Sequence, residues 1–200
     1  MCQEVLEIVQ EMDRKQLEVK MALQCAPVLT GIKVSNLFTV ESVNERLVHM
    51  ALQNTEIVPY HLLSCKNKTV FLLFRRKELD WYLKEPKVQV FLISNGYNEL
   101  SLTGILKRFS QQYATYMFRG GDFPHEMGLL LGYPVEDVQG FIEHKGKDYL
   151  YAGYWKVYTD LEEKKALFEA YESAKEALLL LVSGGYTVPM MIERIRHIPF

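Results

Sequence analysis

The sequence predicts an α+β fold, with one mostly antiparallel sheet of about four or five strands, packed helices and a short helical hairpin. Apolar residues recur at helical spacing in several long segments, whereas shorter β-prone runs alternate or are wholly apolar. Two of these runs, 57–64 and 69–75, are joined by a short turn, as in an antiparallel hairpin. The chain has no internal repeat, low-complexity tract or linker, so we predict a single domain over residues 1–200.

The composition is that of an ordinary globular protein, with 48% hydrophobic and 24% charged residues and a net charge of −2. This charge gives no reason to expect a nucleic acid or a membrane surface as partner. No apolar run approaches the roughly 20 residues of a membrane span, and the acidic N-terminus has no apolar signal core. The three cysteines are widely spaced, which favours reduced thiols over a disulfide framework or a structural zinc site. We therefore expect a cytoplasmic protein.

A helical N-terminus is predicted to precede the sheet. Apolar spacing indicates one or two amphipathic helices over 3–24, and the pattern loosens at 13–15, where the segment can break. We expect the helix to stop before Pro27, because the residue preceding a proline is pushed out of the α region. Two short β-prone runs, 28–33 and 37–40, then begin the region of sheet and helices, 26–117.

A helix from Ser42 to Asn54 is predicted next, because Ser42 and Glu45 have the spacing of a capping box. The residues expected to form its buried stripe are Val43, Leu47, Met50 and Ala51. Beyond this helix, residues 70–74 are apolar on both faces, which indicates a central strand.

The remainder of the chain is predicted to be mostly helical. Within 26–117 we expect helices at 77–83, from Pro86 to a stop at Gly96, and at 99–117. The later predicted elements are a helical hairpin at 123–145, an aromatic-rich strand at 149–158 and a long helix to 183, and a tail at 184–200.

Residues 119–142, RGGDFPHEMGLLLGYPVEDVQGFI, are the densest in groups that restrict the backbone or carry chemistry. Pro124 suits the first position of a helix, which would place His125 and Glu126 in its first turn. An imidazole and a carboxylate there could act as general base and orienter, or hold an anionic ligand. Turn formation and packing alone also account for the glycines and prolines.

Two more specific interpretations of this stretch are weaker. Its spacing resembles a helix-turn-helix with 134–144 as recognition helix, but Glu136 and Asp137 there would repel phosphates. A zinc-protease motif would need a second histidine at position 129, which is leucine. We therefore expect neither a metal ion nor nucleic acid.

The segments FPHEMGLLLGYPVEDVQGFI, GYWKVY and CAPVLTGIKVSNLF together resemble a bacterial family, common in Firmicutes, that is known as a domain of unknown function. The resemblance covers nearly the whole chain and implies no particular activity. The chain departs from the family pattern at Val34, where proline is expected, and near Tyr151 and Ser173, where some relatives carry cysteines.

The candidate catalytic residues are His125, Glu126 and Cys25, as base, orienter and nucleophile. A thiol at a helix C-terminus, however, has its thiolate disfavoured, so a plain buried thiol is the alternative for Cys25. The candidate ligand-binding residues are Lys33, Asn36, Arg75, Arg119, Tyr133 and Lys156. Arg119 precedes Gly120 and Gly121, which could form an anion-binding nest or a plain turn.

Two functions follow from these residues. The first is a cytoplasmic domain that binds a small anionic or cofactor-like molecule, with enzymatic turnover left open. The second is a non-catalytic interaction or regulatory protein that uses the helical hairpin and the Tyr-rich strand. DNA binding is a third, disfavoured by charge, and the sequence names no cofactor or oligomeric state.

Overall fold

The computed structural model describes residues 3–196, so Cys2 and the last four residues of the predicted tail lie outside the described residues. Within 3–196 the helices are α1 (Gln3–Glu11), α2 (Leu17–Thr30), α3 (Glu45–Leu52), α4 (Arg76–Tyr82), α5 (Pro86–Ser94), α6 (Leu102–Arg119), α7 (Met127–Leu130), α8 (Val135–Glu143), α9 (Leu161–Ser183) and α10 (Val188–Ile195). The strands of the same range are β1 (Ser35–Glu41), β2 (Ile57–Cys65), β3 (Lys68–Arg75), β4 (Tyr151–Ala152) and β5 (Lys156–Val157). These helices and antiparallel strands confirm the predicted α+β class.

Contacts group the chain into two compact units. The sheet unit runs up to Arg75 and resumes at Ala166, and the helical unit is Arg76–Lys165. The extent of a single domain over 1–200 stays a prediction. None of the helices among the described residues is long and apolar enough to cross a membrane.

The sheet unit contains a three-stranded antiparallel sheet in the order β1-β3-β2. The apolar strand β3 is central, as predicted, although the sheet has fewer strands than expected. Lys66 and Asn67 form the turn of the β2-β3 hairpin, and both have positive φ angles, 48° and 60°. Two such residues give a turn whose twist matches that of the flanking strands.

The predicted end of the first helical segment at Pro27 is wrong, and so is the strand at 28–33. Pro27 lies inside α2, which continues to Thr30 and ends at Gly31 with φ of +87°. Burial explains the difference: Ala26 and Val28 are wholly buried in the core of this unit. Proline removes one backbone hydrogen bond, and burying these apolar side chains outweighs that loss.

The predicted capping box is wrong as well. Ser42 belongs to a short 3₁₀ segment before α3, and its hydroxyl lies 3.0 Å from Thr69 Oγ1. Glu45 Oε1 accepts a hydrogen bond from the same threonine rather than from the backbone at the start of the helix. Both side chains thus join α3 to strand β3.

Three of the four residues predicted to form the buried stripe of α3, Val43, Leu47 and Met50, are exposed, whereas Ala51 is partly buried against the core. Leu47 is 47% exposed and Val43 is 84% exposed, whereas Val48 and Leu52 are buried. The 3₁₀ segment at the start of the helix places Val43 outside the α-helical register. Helix α3 therefore packs on β2 and α10 through a different face from the one that its sequence suggested.

The helical unit follows the prediction closely up to α6. Pro86 begins α5, and Gly96 follows that helix with φ of +79°. The hydroxyl of Ser101 accepts a hydrogen bond from Gly104 N at 3.1 Å and so caps α6. The predicted strand at 149–158 is instead the two-stranded ribbon β4-β5, which turns where Gly153 N donates to Trp155 O.

Asp137 fixes this ribbon to the start of α8. Its carboxylate is 2% exposed and accepts hydrogen bonds from Trp155 Nε1 at 2.7 Å, Tyr158 N at 2.7 Å and Thr159 N at 3.1 Å. Its position in the first turn of α8 also places its negative charge at the positive end of the dipole of that helix.

The helical hairpin is present, but its first helix starts later than predicted. Helix α7 begins at Met127, so His125 and Glu126 lie in the turn before it. Pro124 contributes to that turn through its carbonyl oxygen, which accepts from Met127 N at 3.0 Å. A Cβ atom at Gly128 would lie 2.7 Å from Val138 Cγ2, so α7 and α8 approach each other closely at this glycine.

Candidate functional site

A cleft of about 490 Å³ runs along α6 within the helical unit. Helix α6 and the end of α5 form one wall, and the loop from Gly120 to Glu126 forms the other. The residues that line this α6 cleft are Asn95, Arg108, Gln111, Gln112, Thr115, Tyr116, Gly120, Gly121, Asp122, Phe123, Pro124, His125 and Glu126. Its volume falls in the range of roughly 300–1,000 Å³ that is usual for small-molecule sites.

Arg108 is the cation of the α6 cleft. Its Nε atom is buried and has no hydrogen-bond partner among the described residues. Its Nη2 atom donates to Asn95 O over a long 3.4 Å, and its guanidinium carbon lies 4.9 Å from the ring centre of Tyr97. Because a guanidinium has five N–H donors and stays charged, most of its hydrogen-bonding capacity is unused.

Glu126 is held by a buried hydrogen-bond network. The Tyr97 hydroxyl lies 2.9 Å from Glu126 Oε1 and 2.8 Å from Gln112 Oε1. Burial, and next the charge of Glu126, raise the pKa of Tyr97 far above its usual value, so the phenol keeps its proton. Glu126 itself is 4% exposed. No hydrogen bond joins it to the imidazole of His125 among the described residues, so the predicted base–orienter pair is not formed.

His125 instead belongs to a row of rings at the other end of the cleft. The centre of Phe123 lies 5.3 Å from that of Tyr116 and 5.6 Å from that of His125. His125 is in turn 5.7 Å from Phe141. These rings meet edge to face or tilted, as aromatic pairs prefer. The imidazole therefore sits in an aromatic rim.

The loop after Arg119 does not form an anion-binding nest. Gly120 has φ of 72° and ψ of 174°, whereas a nest requires the left-handed helical region, where ψ is near 50°. Arg119 is exposed and does not line the cleft. Its predicted role as a ligand residue stays a prediction.

Two other predicted ligand residues of this unit have structural contacts. Tyr133 stacks on Trp155 with ring centres 4.6 Å apart, and its burial raises the pKa of its phenol. Lys156 Nζ donates to Gly146 O at 2.5 Å and lies 4.8 Å from the ring centre of Tyr149. These contacts tie the ribbon to α8 and the loop that follows it.

The remaining predicted residues belong to the sheet unit. Cys25 lies inside α2 rather than at its end and is fully buried, and burial raises the pKa of its thiol well above the usual range. A protonated, inaccessible thiol is unsuited to nucleophilic attack. Lys33 is 6% exposed, and burial lowers its pKa to about 8, with Cys25 acting in the opposite direction. The fold thus brings Cys25 and Lys33 together.

Asn36 and Arg75 complete the predicted set. Asn36 Oδ1 is buried and has no hydrogen-bond partner among the residues that the structure describes. Arg75 donates to Val28 O at 2.9 Å and Leu29 O at 3.1 Å, and forms an ion pair with Glu56 at 2.9 Å. Its guanidinium therefore helps to cap the C-terminus of α2, where Val28 O also accepts from Gly31 N.

Sequence reasoning missed Arg108 and Gln112. They lie four residues apart on α6, so they share one face of the helix, and Thr115 and Tyr116 continue that face. The sequence feature that could have identified these residues is the polar face of α6, which leads into a loop that begins with two glycines. Within residues 3–196, no group of three or more histidine, cysteine, aspartate or glutamate side chains could hold a metal ion.

Comparison with known proteins gives one match. A family described as "Protein of unknown function (DUF3793)" matches residues 21–192. No curated protein and no solved structure matches the chain. The matched region covers most of the 200 residues and includes both the α6 cleft and the central sheet. The chain therefore belongs to the DUF3793 family of proteins of unknown function.

Proposed function

We propose that this protein binds a small anionic molecule in the α6 cleft, with Arg108 as the anchoring cation. The observation that carries the proposal is the buried Nε of Arg108, which lacks a hydrogen-bond partner among the described residues. A buried donor without a partner costs roughly 1–3 kcal/mol. A carboxylate or phosphate in the cleft would accept from the terminal guanidinium nitrogens, which make one long hydrogen bond to Asn95 O. A shift of the Arg108 side chain toward the cleft would bring the buried Nε into the bidentate geometry that arginine favours.

The surroundings of Arg108 support an anion rather than an internal partner. Glu126, the buried carboxylate of the cleft, is held by Tyr97, and no ion pair joins Arg108 to any acidic side chain within residues 3–196. The neighbouring Lys107 is exposed and does not line the cleft. Arg108 and Lys107 therefore form a natural pair of test and control positions.

The test is a calorimetric titration of the whole protein with inorganic phosphate, succinate and benzoate at low ionic strength. We expect at least one of these anions to bind, and Arg108→Gln to weaken that binding by roughly tenfold or more, because a charged hydrogen bond contributes about 1.5–3 kcal/mol. Lys107→Gln should bind like the wild type. Binding that is equally strong in Arg108→Gln would refute the role of Arg108.

Stability without ligand separates binding from a structural role. Since the Nε donor has no partner among the described residues, Arg108→Gln should melt at the same temperature as the wild type or higher. A clear loss of melting temperature would mean that the guanidinium serves the fold, through Asn95 O and the Tyr97 ring.

Catalysis is not part of this proposal. Glu126 is held by Tyr97, and the Cys25 thiol is fully buried with a raised pKa, so neither residue supports a nucleophile–base–orienter set. A catalytic role for His125, which lines the cleft, stays a prediction.

Binding of another protein is the second candidate function. Large apolar side chains are exposed on α8 and the adjoining ribbon, namely Phe141, Ile142, Tyr149, Leu150 and Tyr151. Aromatic and aliphatic side chains gathered at the surface are typical of interaction sites. Native mass spectrometry of protein purified from its own host distinguishes the two functions, because a protein partner and a small anion differ widely in mass.

DNA reading by α8 has no support in the contacts of that helix. Asp137 is buried under the ribbon, and Glu136 forms an ion pair with Lys87. A recognition helix would present its N-terminal side chains to base edges.

We also propose that the protein is cytoplasmic. Cys25 and Cys65 are free thiols, which fits a reducing compartment.

A further inference from the structure

The two ends of the α6 cleft differ in chemistry. Arg108 lies at one end and Tyr116, eight residues further along the same helix, lies at the other. At 1.5 Å per residue, eight residues span about 12 Å along the helix axis. A ligand that contacts both ends must be elongated, with an anionic group at the Arg108 end.

Amide and hydroxyl groups occupy the middle of the cleft. Gln111, Gln112 and Thr115 line it between Arg108 and Tyr116. Thr115 Oγ1 donates to Gln111 O at 2.9 Å, which leaves the oxygen lone pairs of the threonine as acceptors. Neutral donors and acceptors of this kind suit hydroxyl groups on the central part of a ligand.

The far end presents an aromatic surface. Phe123 is 41% exposed. Its two ring partners lie at 89° and 66° to it, so no described ring is stacked parallel on Phe123. A planar ligand ring can therefore stack there, and such a contact contributes about 1–3 kcal/mol where nucleic-acid bases stack on protein aromatics.

Asp122 adds an exposed carboxylate to that end. It lines the cleft beside Phe123 and has no ion-pair partner among residues 3–196. A carboxylate only accepts hydrogen bonds when ionised, so it favours ligand N–H groups and repels a second anionic group. The aromatic end thus selects a planar ring that carries donors.

We propose that the ligand of the α6 cleft is of the nucleotide class. A nitrogenous base would stack on Phe123 with its amino group toward Asp122, its sugar hydroxyls would lie along Gln111 and Thr115, and its phosphate would reach Arg108. This inference rests on the proposed function, because it adds a base and a sugar to an anion already assigned to Arg108.

The test is a titration of the whole protein with adenosine mono- and diphosphate, ribose 5-phosphate, adenosine, uridine monophosphate and inorganic phosphate. We expect an adenine nucleotide to bind at least tenfold more tightly than ribose 5-phosphate, phosphate or adenosine. Uridine monophosphate, whose base lacks an amino group, should bind more weakly than adenosine monophosphate.

Variants of the cleft residues test which part of the ligand each residue contacts. Phe123→Leu should remove most of the advantage of the nucleotide over ribose 5-phosphate and leave phosphate binding unchanged. Phe118→Leu is the matched control, because Phe118 is an exposed phenylalanine of α6 that does not line the cleft. Asp122→Asn should reduce the difference in affinity between adenosine monophosphate and uridine monophosphate.

The possible results separate this inference from the proposed function. Equal affinity for adenosine monophosphate and ribose 5-phosphate overturns the nucleotide inference. If Arg108→Gln weakens the binding of both ligands, the proposed anion site at Arg108 still stands. Failure of every nucleotide to bind also overturns the inference. Nucleotide binding that survives Arg108→Gln but not Phe123→Leu overturns the anion site.

Discussion

Lys33 is a cation held almost entirely away from water in the sheet unit. Burial lowers its pKa from 10.5 to about 8, so the folded protein binds this proton less tightly than the unfolded chain does. Between pH 8 and pH 10.5 the unfolded chain is the more protonated state, and stability therefore rises with pH across that window. Below pH 8 both states carry the proton, and the full cost of the buried charge is present.

Replacing Lys33 by methionine should remove this pH dependence. As pH rises from 8 to 10.5, the wild type should gain stability and Lys33→Met should not. The free energy of unfolding of the variant minus that of the wild type should therefore fall by an amount on the order of 3 kcal/mol. Urea unfolding at several pH values measures it. Lys15→Met is the control, since Lys15 is exposed. A constant difference between Lys33→Met and the wild type would contradict the depressed pKa.

At the scale of the element, α3 offers a direct comparison of two leucines in one helix. Leu52 is 3% exposed and Leu47 is 47% exposed. Leu52→Ala should lower the free energy of unfolding by about 2–5 kcal/mol, whereas Leu47→Ala should change it by about 0.5 kcal/mol or less. Thermal or urea denaturation gives both values. Both substitutions replace leucine by alanine, so their effect on intrinsic helix propensity is the same. A larger loss of stability at Leu47 than at Leu52 would mean that the face predicted from the sequence is the buried one.

The elements that sequence reasoning located correctly are those with strong local signals. Pro86 and Gly96 bracket α5, and the apolar run at 70–74 identified β3 as central. The predicted helix end at Pro27 was wrong because burial of its neighbours outweighs the backbone hydrogen bond that proline removes. The buried face of α3 could not be read locally, because Ser42 and Glu45 bond to Thr69 on a distant strand.

The candidate site was predicted only in part. His125 and Glu126 do line the α6 cleft, and their loop was the stretch selected from sequence. Arg108 was missed because an arginine on an amphipathic helix ordinarily faces solvent, and only the fold places Asn95 and the Gly120 loop around it. Arg75 was selected as a cation at a strand end, but its donors cap α2.

At the scale of the whole molecule, the sheet unit and the helical unit each have their own stabilising contacts. Asp137→Asn should lower the free energy of unfolding by roughly 1–3 kcal/mol, because in either orientation its amide nitrogen would face an N–H donor, Trp155 Nε1 or Tyr158 N. Combined with Leu52→Ala, the total loss should equal the sum of the single losses within about 0.5 kcal/mol, since Asp137 is bonded within the helical unit and Leu52 is packed in the core of the sheet unit. Denaturation of the single and double variants measures this, and a deviation well beyond that margin would reveal energetic coupling.

The burial of Cys25 in α2 gives the protein a built-in reporter. A thiol reagent cannot reach Cys25 until the core around it opens, whereas the half-buried Cys65 at the β2-β3 turn is within easier reach. In a Cys2→Ser variant, the rate at which the reagent labels Cys25, compared with its rate at Cys65, would measure how often the core of the sheet unit opens.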